Sequence, residues 1–123
     1  MSLLYVMLGG AFGSGARYLT GLATLSLFGP ALPYGTLAVN LIGGLLMGAL
    51  VGALARVGDS GTWRLLLGVG VLGGFTTFSS FSLDAVTMIE RGQTGIAFGY
   101  VLLSVAGSIA ALFAGLSLTR TMA

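Results

Sequence analysis

Four long apolar stretches follow one another along the chain, broken only by glycines, small hydroxyl residues and a few polar side chains. A helix needs about 20 mostly apolar residues to cross about 30 Å of hydrocarbon, and each stretch is long enough. The first covers residues 3–27 and carries Gly9-Gly10-Ala11-Phe12-Gly13-Ser14-Gly15-Ala16-Arg17-Tyr18. The second, 34–56, follows Pro30 and Pro33, residues that suit a loop and a helix start. The third covers 63–89 and the fourth 95–118. Connections at 28–33, 57–62 and 90–94 are short, so sequential helices are expected to lie antiparallel beside one another. The pattern predicts one all-α membrane domain over residues 1–123 with four transmembrane helices, and no linker or second domain. No cleaved signal peptide is expected, because no basic residue precedes the apolar run that starts at Leu3.

Composition sharpens that picture. Charged residues make up 7% of the chain, against about 25% in a soluble protein. A chain this short cannot hide 56% hydrophobic residues in a water-soluble core, so the bilayer is its solvent. Its 22 glycines are well over twice the usual share of about 7%, and small residues let membrane helices approach closely. Five scattered arginines make no nucleic-acid surface. With no cysteine and no histidine, disulfides, thiolate metal sites and histidine catalysis are excluded. An enzyme is not expected, since no nucleophile–base pair can be assembled.

The arginines also bear on orientation. In a four-span chain one side carries Arg56, Arg64 and Arg120, and the other carries Arg91 with Arg17 nearer to it. Loop arginines normally set topology, and three against two is almost no bias. Either something else sets the orientation, or subunits insert both ways up.

The polar residues inside the spans are the candidates for chemistry. Asn40, Gly44, Gly48 and Gly52 recur every four residues in the second span, a small-residue seam for helix packing. A mid-membrane amide is costly unless satisfied, so Asn40 either bonds a neighbouring helix or faces a hydrated path, where its NH2 group offers donors to an anion. In the third span, Gly73-Gly74-Phe75-Thr76-Thr77-Phe78-Ser79-Ser80-Phe81-Ser82 sets two glycines and five hydroxyls in an apolar segment. As a helix, 63–89 would be about 40 Å long, more than the membrane core. A break at Gly73–Thr77 is predicted; the alternative is a continuous helix whose hydroxyls bond back to the preceding turn. Carbonyls freed by a break are natural ligands for a small hard cation such as Na+. Phe78 and Phe81, three apart, share a helix face, either as core rings or with their positive edges toward an anion. Ser104 and Ser108 share a face of the fourth span. The acids are Asp59 in a loop, and Asp84 and Glu90 toward the end of the third span. None is expected at the bilayer centre, where a proton relay would need one, so a passive anion path fits better than coupled transport.

The residues Gly9 to Tyr18, Pro33 to Asn40, Gly73 to Ser82, and Gly107-Ser108 resemble the Fluc/CrcB fluoride channels of bacteria, in order and spacing, over nearly the whole chain. The third segment is a specific signature; the glycine-rich first one is weak alone. That resemblance implies an antiparallel, dual-topology homodimer with two fluoride pores, multi-pass in the bacterial inner membrane, exporting fluoride passively. It implies a structural Na+ at the dimer centre on carbonyls matching Gly73 and Thr76. It implies fluoride contacts at Asn40, Phe78, Phe81, Ser80 and Ser108, and a structural or pore-entrance role for Arg17. Ser80 stands where many relatives have threonine, and Ser104 where some have asparagine. Two other readings compete. A small four-helix multidrug exporter needs a carboxylate in its first span, and this one has none. A non-transporting scaffold held by its glycine seams predicts that replacing Phe78 or Asn40 leaves flux unchanged.

Overall fold

A computed structural model describes residues 2–58 and 61–121, which form helices joined by short connections, with no strand among them. Asp59 and the side chain of Arg120 lie outside the described residues. α1 spans Ser2–Phe28 and α2 spans Tyr34–Val57. α3, Arg64–Leu72, runs on into a single turn at Gly73–Phe75; α4 is Ser79–Glu90 and α5 is Thr94–Thr121. Three segments, Tyr34–Val57, Arg64–Glu90 and Thr94–Thr119, are long and apolar enough to cross a membrane. α1 matches them in length at 27 residues, but its glycines, serines and Arg17 dilute its apolarity.

Close backbone approaches fix how the segments run. A Cβ added at Gly9 would strike the Leu66 carbonyl, and one at Gly13 the Val71 carbonyl. Residue numbers rise together across these contacts, so α1 and α3 are parallel. The same holds for α2 and α5, where Gly44 faces the Ser108 carbonyl, Gly48 the Leu112 carbonyl and Gly52 the Thr119 side chain. α1 and α2 are antiparallel: a Cβ at Gly35 would lie 2.9 Å from the Cα of Gly21. Sequential segments thus alternate in direction, yet the tightest seams join every second one. Glycine decides this, because only a helix pair without Cβ atoms at the crossing can bring backbone against backbone.

Helix ends are closed economically. Gly58 takes the left-handed conformation (φ 68°) and its N–H bonds the Leu54 carbonyl at 3.0 Å, ending α2. Nearby, Arg56 Nη1 donates to the Thr119 carbonyl at 3.1 Å, tying the end of α2 to that of α5.

The third segment is irregular. α3 is wound wide, in the manner of a π-helix, so that the Gly73 N–H reaches the Gly68 carbonyl five residues back. The helix then stops at Phe75, Thr76 is extended (φ −82°, ψ 161°), and regular winding resumes at Ser79. The break therefore falls at Thr76–Phe78, later than a break seeded by the double glycine. Gly73 and Gly74 stay helical, and Gly74 serves packing: a Cβ there would lie 2.7 Å from the Gly10 carbonyl of α1.

Few large side chains are buried within one chain. Phe81 and Met88 of α4 pack with Ala97 and Tyr100 of α5, and Val39 is enclosed nearby. Leu3, Phe12, Leu27, Phe98 and Phe113 are among many apolar side chains that point outward. Such a surface is suited to lipid rather than to water.

Candidate functional site

The break is held by side chains from other helices. Asn40, in the second turn of α2, donates from Nδ2 to the Thr77 carbonyl (3.1 Å) and accepts the Thr77 N–H on Oδ1 (3.0 Å). In a continuous helix that N–H would close on the Gly73 carbonyl. One turn along α2, Gly43 leaves room for the methyl group of Thr76. Thr77 Oγ1 accepts the Ser80 N–H at 3.2 Å, capping the start of α4, and lies 3.4 Å from Ser79 Oγ. That N–H would otherwise serve the Thr76 carbonyl. Arg17 Nε donates to the Gly74 carbonyl at 3.3 Å, a cation at the C-terminal end of a helix where the backbone dipole favours it. The carbonyls of Gly74 and Thr77 are thus taken. Those of Gly73 and Thr76 have lost the donors that helical winding would supply.

Gly73 and Thr76 line an open groove of about 510 Å3 together with Asn40, Phe78, Phe81, Ser104 and Ser108. Phe75 is not among its lining residues. Phe78 lies at the edge of the break, 76% exposed, with its ring centroid 5.6 Å from that of Phe81 and tilted 43° to it. Phe81 is 7% exposed and packs in turn on Tyr100, centroids 5.3 Å apart. Ser104 is 3% exposed, and its Oγ is a buried polar atom with no hydrogen-bond partner among the described residues. Leaving a buried hydroxyl unmet costs about 1–3 kcal/mol, so this one is a feature to be explained. The groove's lining is uncharged: an asparagine, two serines, two threonines and two phenylalanines among glycines and aliphatic residues.

Ser80 and Arg17 are not in that groove. They line a second cavity of about 480 Å3 with Asp84, Thr87 and Arg91. Thr77 lines both, so the stretch that Asn40 grips is the wall between them. Asp84 accepts a hydrogen bond from the Tyr100 hydroxyl at 3.2 Å, joining α4 to α5. Residue order places Thr77 in the break without marking it as the residue that Asn40 grips, and it does not pair Asp84 with Tyr100. A signal for the second was present, since an acid inside an apolar segment is by default a functional position.

The model of the family described as "CrcB-like protein, Camphor Resistance (CrcB)" matches residues 4–116. The chain belongs to this family. A relative from Phenylobacterium zucineum is 60% identical over 121 residues, covering 97% of this chain and 95% of its own length. One from Cereibacter sphaeroides is 56% identical, with 97% and 94% covered. A third, from Mesorhizobium japonicum, is 51% identical with 98% of each covered. All three are named as fluoride-specific ion channels, so the family is one of channels and not of enzymes. Together with its three long apolar segments, membership makes the chain a multi-pass membrane protein.

Proposed function

We propose that this chain is one subunit of a fluoride-selective channel that lets the ion leave the bacterial cytoplasm passively across the inner membrane. The single observation that carries this is the groove, in which Asn40, Phe78, Phe81, Ser104 and Ser108 meet beside a broken helix. Neutral donors and ring edges can offset the dehydration of a small anion without binding it so tightly that it stops. Relatives of matching length named for fluoride give the anion its identity.

A groove with broken backbone cannot face hydrocarbon, because each unmet polar group costs several kcal/mol there. A second copy covers it, and the near-even arginine balance fits copies inserted in opposite orientations. Across their shared axis, the Gly73 and Thr76 carbonyls of each copy hold a structural Na+. Both have lost their helical donors, both line the groove that the partner closes, and carbonyl oxygen suits a small hard cation. The bound ion supplies fixed positive charge, which holds two dipolar helix ends together. Ser80, Arg17 and Asp84 belong to the second cavity, which serves as the polar approach to the narrow path. An inside-negative potential then favours anion exit by about 2.3 kcal/mol per charge per 100 mV, with no coupling ion required.

The test is efflux from liposomes containing purified protein, read with a fluoride electrode and a chloride electrode. Fluoride release far faster than chloride, with no imposed proton gradient, is expected. Equal rates for the two halides contradict the proposal.

A further inference from the structure

We propose that Asn40 is the positioning residue that builds the cation cradle, by keeping the helix between α3 and α4 from closing. This rests on the proposed function for the presence of the cation, and goes beyond it in naming what makes the carbonyls available.

Four peptide groups around the break compete for the same few donors. Wound as a helix, the Thr77 N–H would bond the Gly73 carbonyl and the Ser80 N–H would bond the Thr76 carbonyl. Asn40 removes the first donor by accepting it at 3.0 Å, and with its other arm it occupies the Thr77 carbonyl at 3.1 Å. A side-chain amide used this way treats Thr77 as an edge strand would, meeting both its N–H and its C=O. Held there, Thr77 directs its hydroxyl to the Ser80 N–H, which removes the second donor. Arg17 occupies the Gly74 carbonyl. Of the carbonyls at residues 73, 74, 76 and 77, two are consumed inside the chain and two are left, and those two belong to the residues that line the groove.

The grip is local to one stretch of α2. Asn40 meets Thr77, and Gly43, one turn on, makes room for the Thr76 methyl group, so neighbouring residues of the break are seated by neighbouring positions of one helix. α2 is in turn locked to α5 by glycines farther along. Asn40 therefore has two separable duties. Its Oδ1 sets the backbone, while the remaining hydrogen of its NH2 group is free to meet an anion in the groove.

Those duties predict different outcomes for different substitutions. Asn40→Asp keeps an oxygen for the Thr77 N–H, loses the N–H that meets the Thr77 carbonyl, and places negative charge in an anion path. Asn40→Ala removes both arms and returns the Thr77 N–H to the Gly73 carbonyl. Phe81→Ile alters the groove and leaves the break untouched. Thr77→Val frees the Ser80 N–H to rejoin the Thr76 carbonyl.

The experiment measures the thermal unfolding midpoint of the purified, detergent-solubilised protein against Na+ concentration, with a bulky organic cation as the replacement, and reads the half-saturating Na+. Asn40→Ala is expected to raise it about tenfold, the size of one lost hydrogen bond. Thr77→Val is expected to raise it by a smaller factor of about three. Phe81→Ile, which touches neither the Thr77 N–H nor the Ser80 N–H, should stay within about twofold of the wild type. Should Asn40→Ala not fold, Thr77→Val set against Phe81→Ile decides. An unchanged value in Thr77→Val, or in Asn40→Ala, overturns the inference while leaving fluoride conduction intact. A wild-type protein whose midpoint ignores Na+ removes the cradle altogether and overturns the inference with it; the liposome assay then judges the anion path separately.

Discussion

Along the α2–α5 seam, Gly44, Gly48, Gly52 and Gly115 each lie against backbone or a side chain of the facing helix, while both helices keep regular winding. At the break, the glycines are just as dense, yet Gly73 and Gly74 remain wound and the chain opens after them, at Thr76. Gly74, like the seam glycines, is therefore a packing residue, set against Gly10 of α1. What opens the backbone is competition for its donors, by an amide reaching in from α2 and by a threonine hydroxyl. A seam resists change through volume, and the break through hydrogen bonding, so the two should fail in different ways.

The largest effect should come from the groove. Asn40→Asp puts a charge in the anion path, and fluoride flux from liposomes should fall more than about 100-fold, since a buried like charge costs several kcal/mol. The proposed pairing of two copies should persist by size-exclusion chromatography; flux near the wild-type rate would take Asn40 out of the path.

Next comes the seam. A side chain at Gly48 would meet the Leu112 carbonyl, which cannot move without shifting α5. Gly48→Val should therefore destabilise the fold by about 3 kcal/mol or more, at the upper end of overpacking costs. Gly99→Ala is the control. Its Cβ would meet nothing within 4 Å, and removing a helical glycine should stabilise by about 0.5–1 kcal/mol. Denaturation in detergent that ranks the two equally would deny that the seam is filled.

Smaller again is Ser104→Ala. Deleting a buried hydroxyl with no partner should leave stability unchanged or raise it by about 1 kcal/mol. Fluoride flux should fall about tenfold if that hydroxyl serves the ion, the size of one lost neutral hydrogen bond. Falling stability would mean the hydroxyl has a partner after all. Arg17→Gln should cost least, about 1 kcal/mol, by removing a cation from the Gly74 carbonyl at a helix end. Unchanged thermal stability there would show that the contact is idle.

Much of this architecture could be read from residue order, and the rest depended on partners distant in the chain. Hydroxyl density and excess length in the third segment pointed to an interruption. Its place was hidden because Asn40 lies 37 residues before Thr77, and no local propensity reports a bond made from another helix. Spacing marked Gly44, Gly48 and Gly52 as a seam but could not say that α5 rather than a sequential neighbour fills it. The wide winding of α3 has no cue in its own residues; Gly68 and Gly70 are both buried there, and Gly70 lies against Gly9. Asp84 and Tyr100 meet across a loop, 16 residues apart; an acid inside an apolar segment marks Asp84, but residue order does not name its partner.

The most direct measurement is the ratio of fluoride to chloride release from one preparation of liposomes, with wild type and Asn40→Asp side by side. A ratio far above one that collapses in the variant is the predicted result. A wild-type ratio near one, or a variant as fast and selective as its parent, would contradict the claim that this groove conducts fluoride.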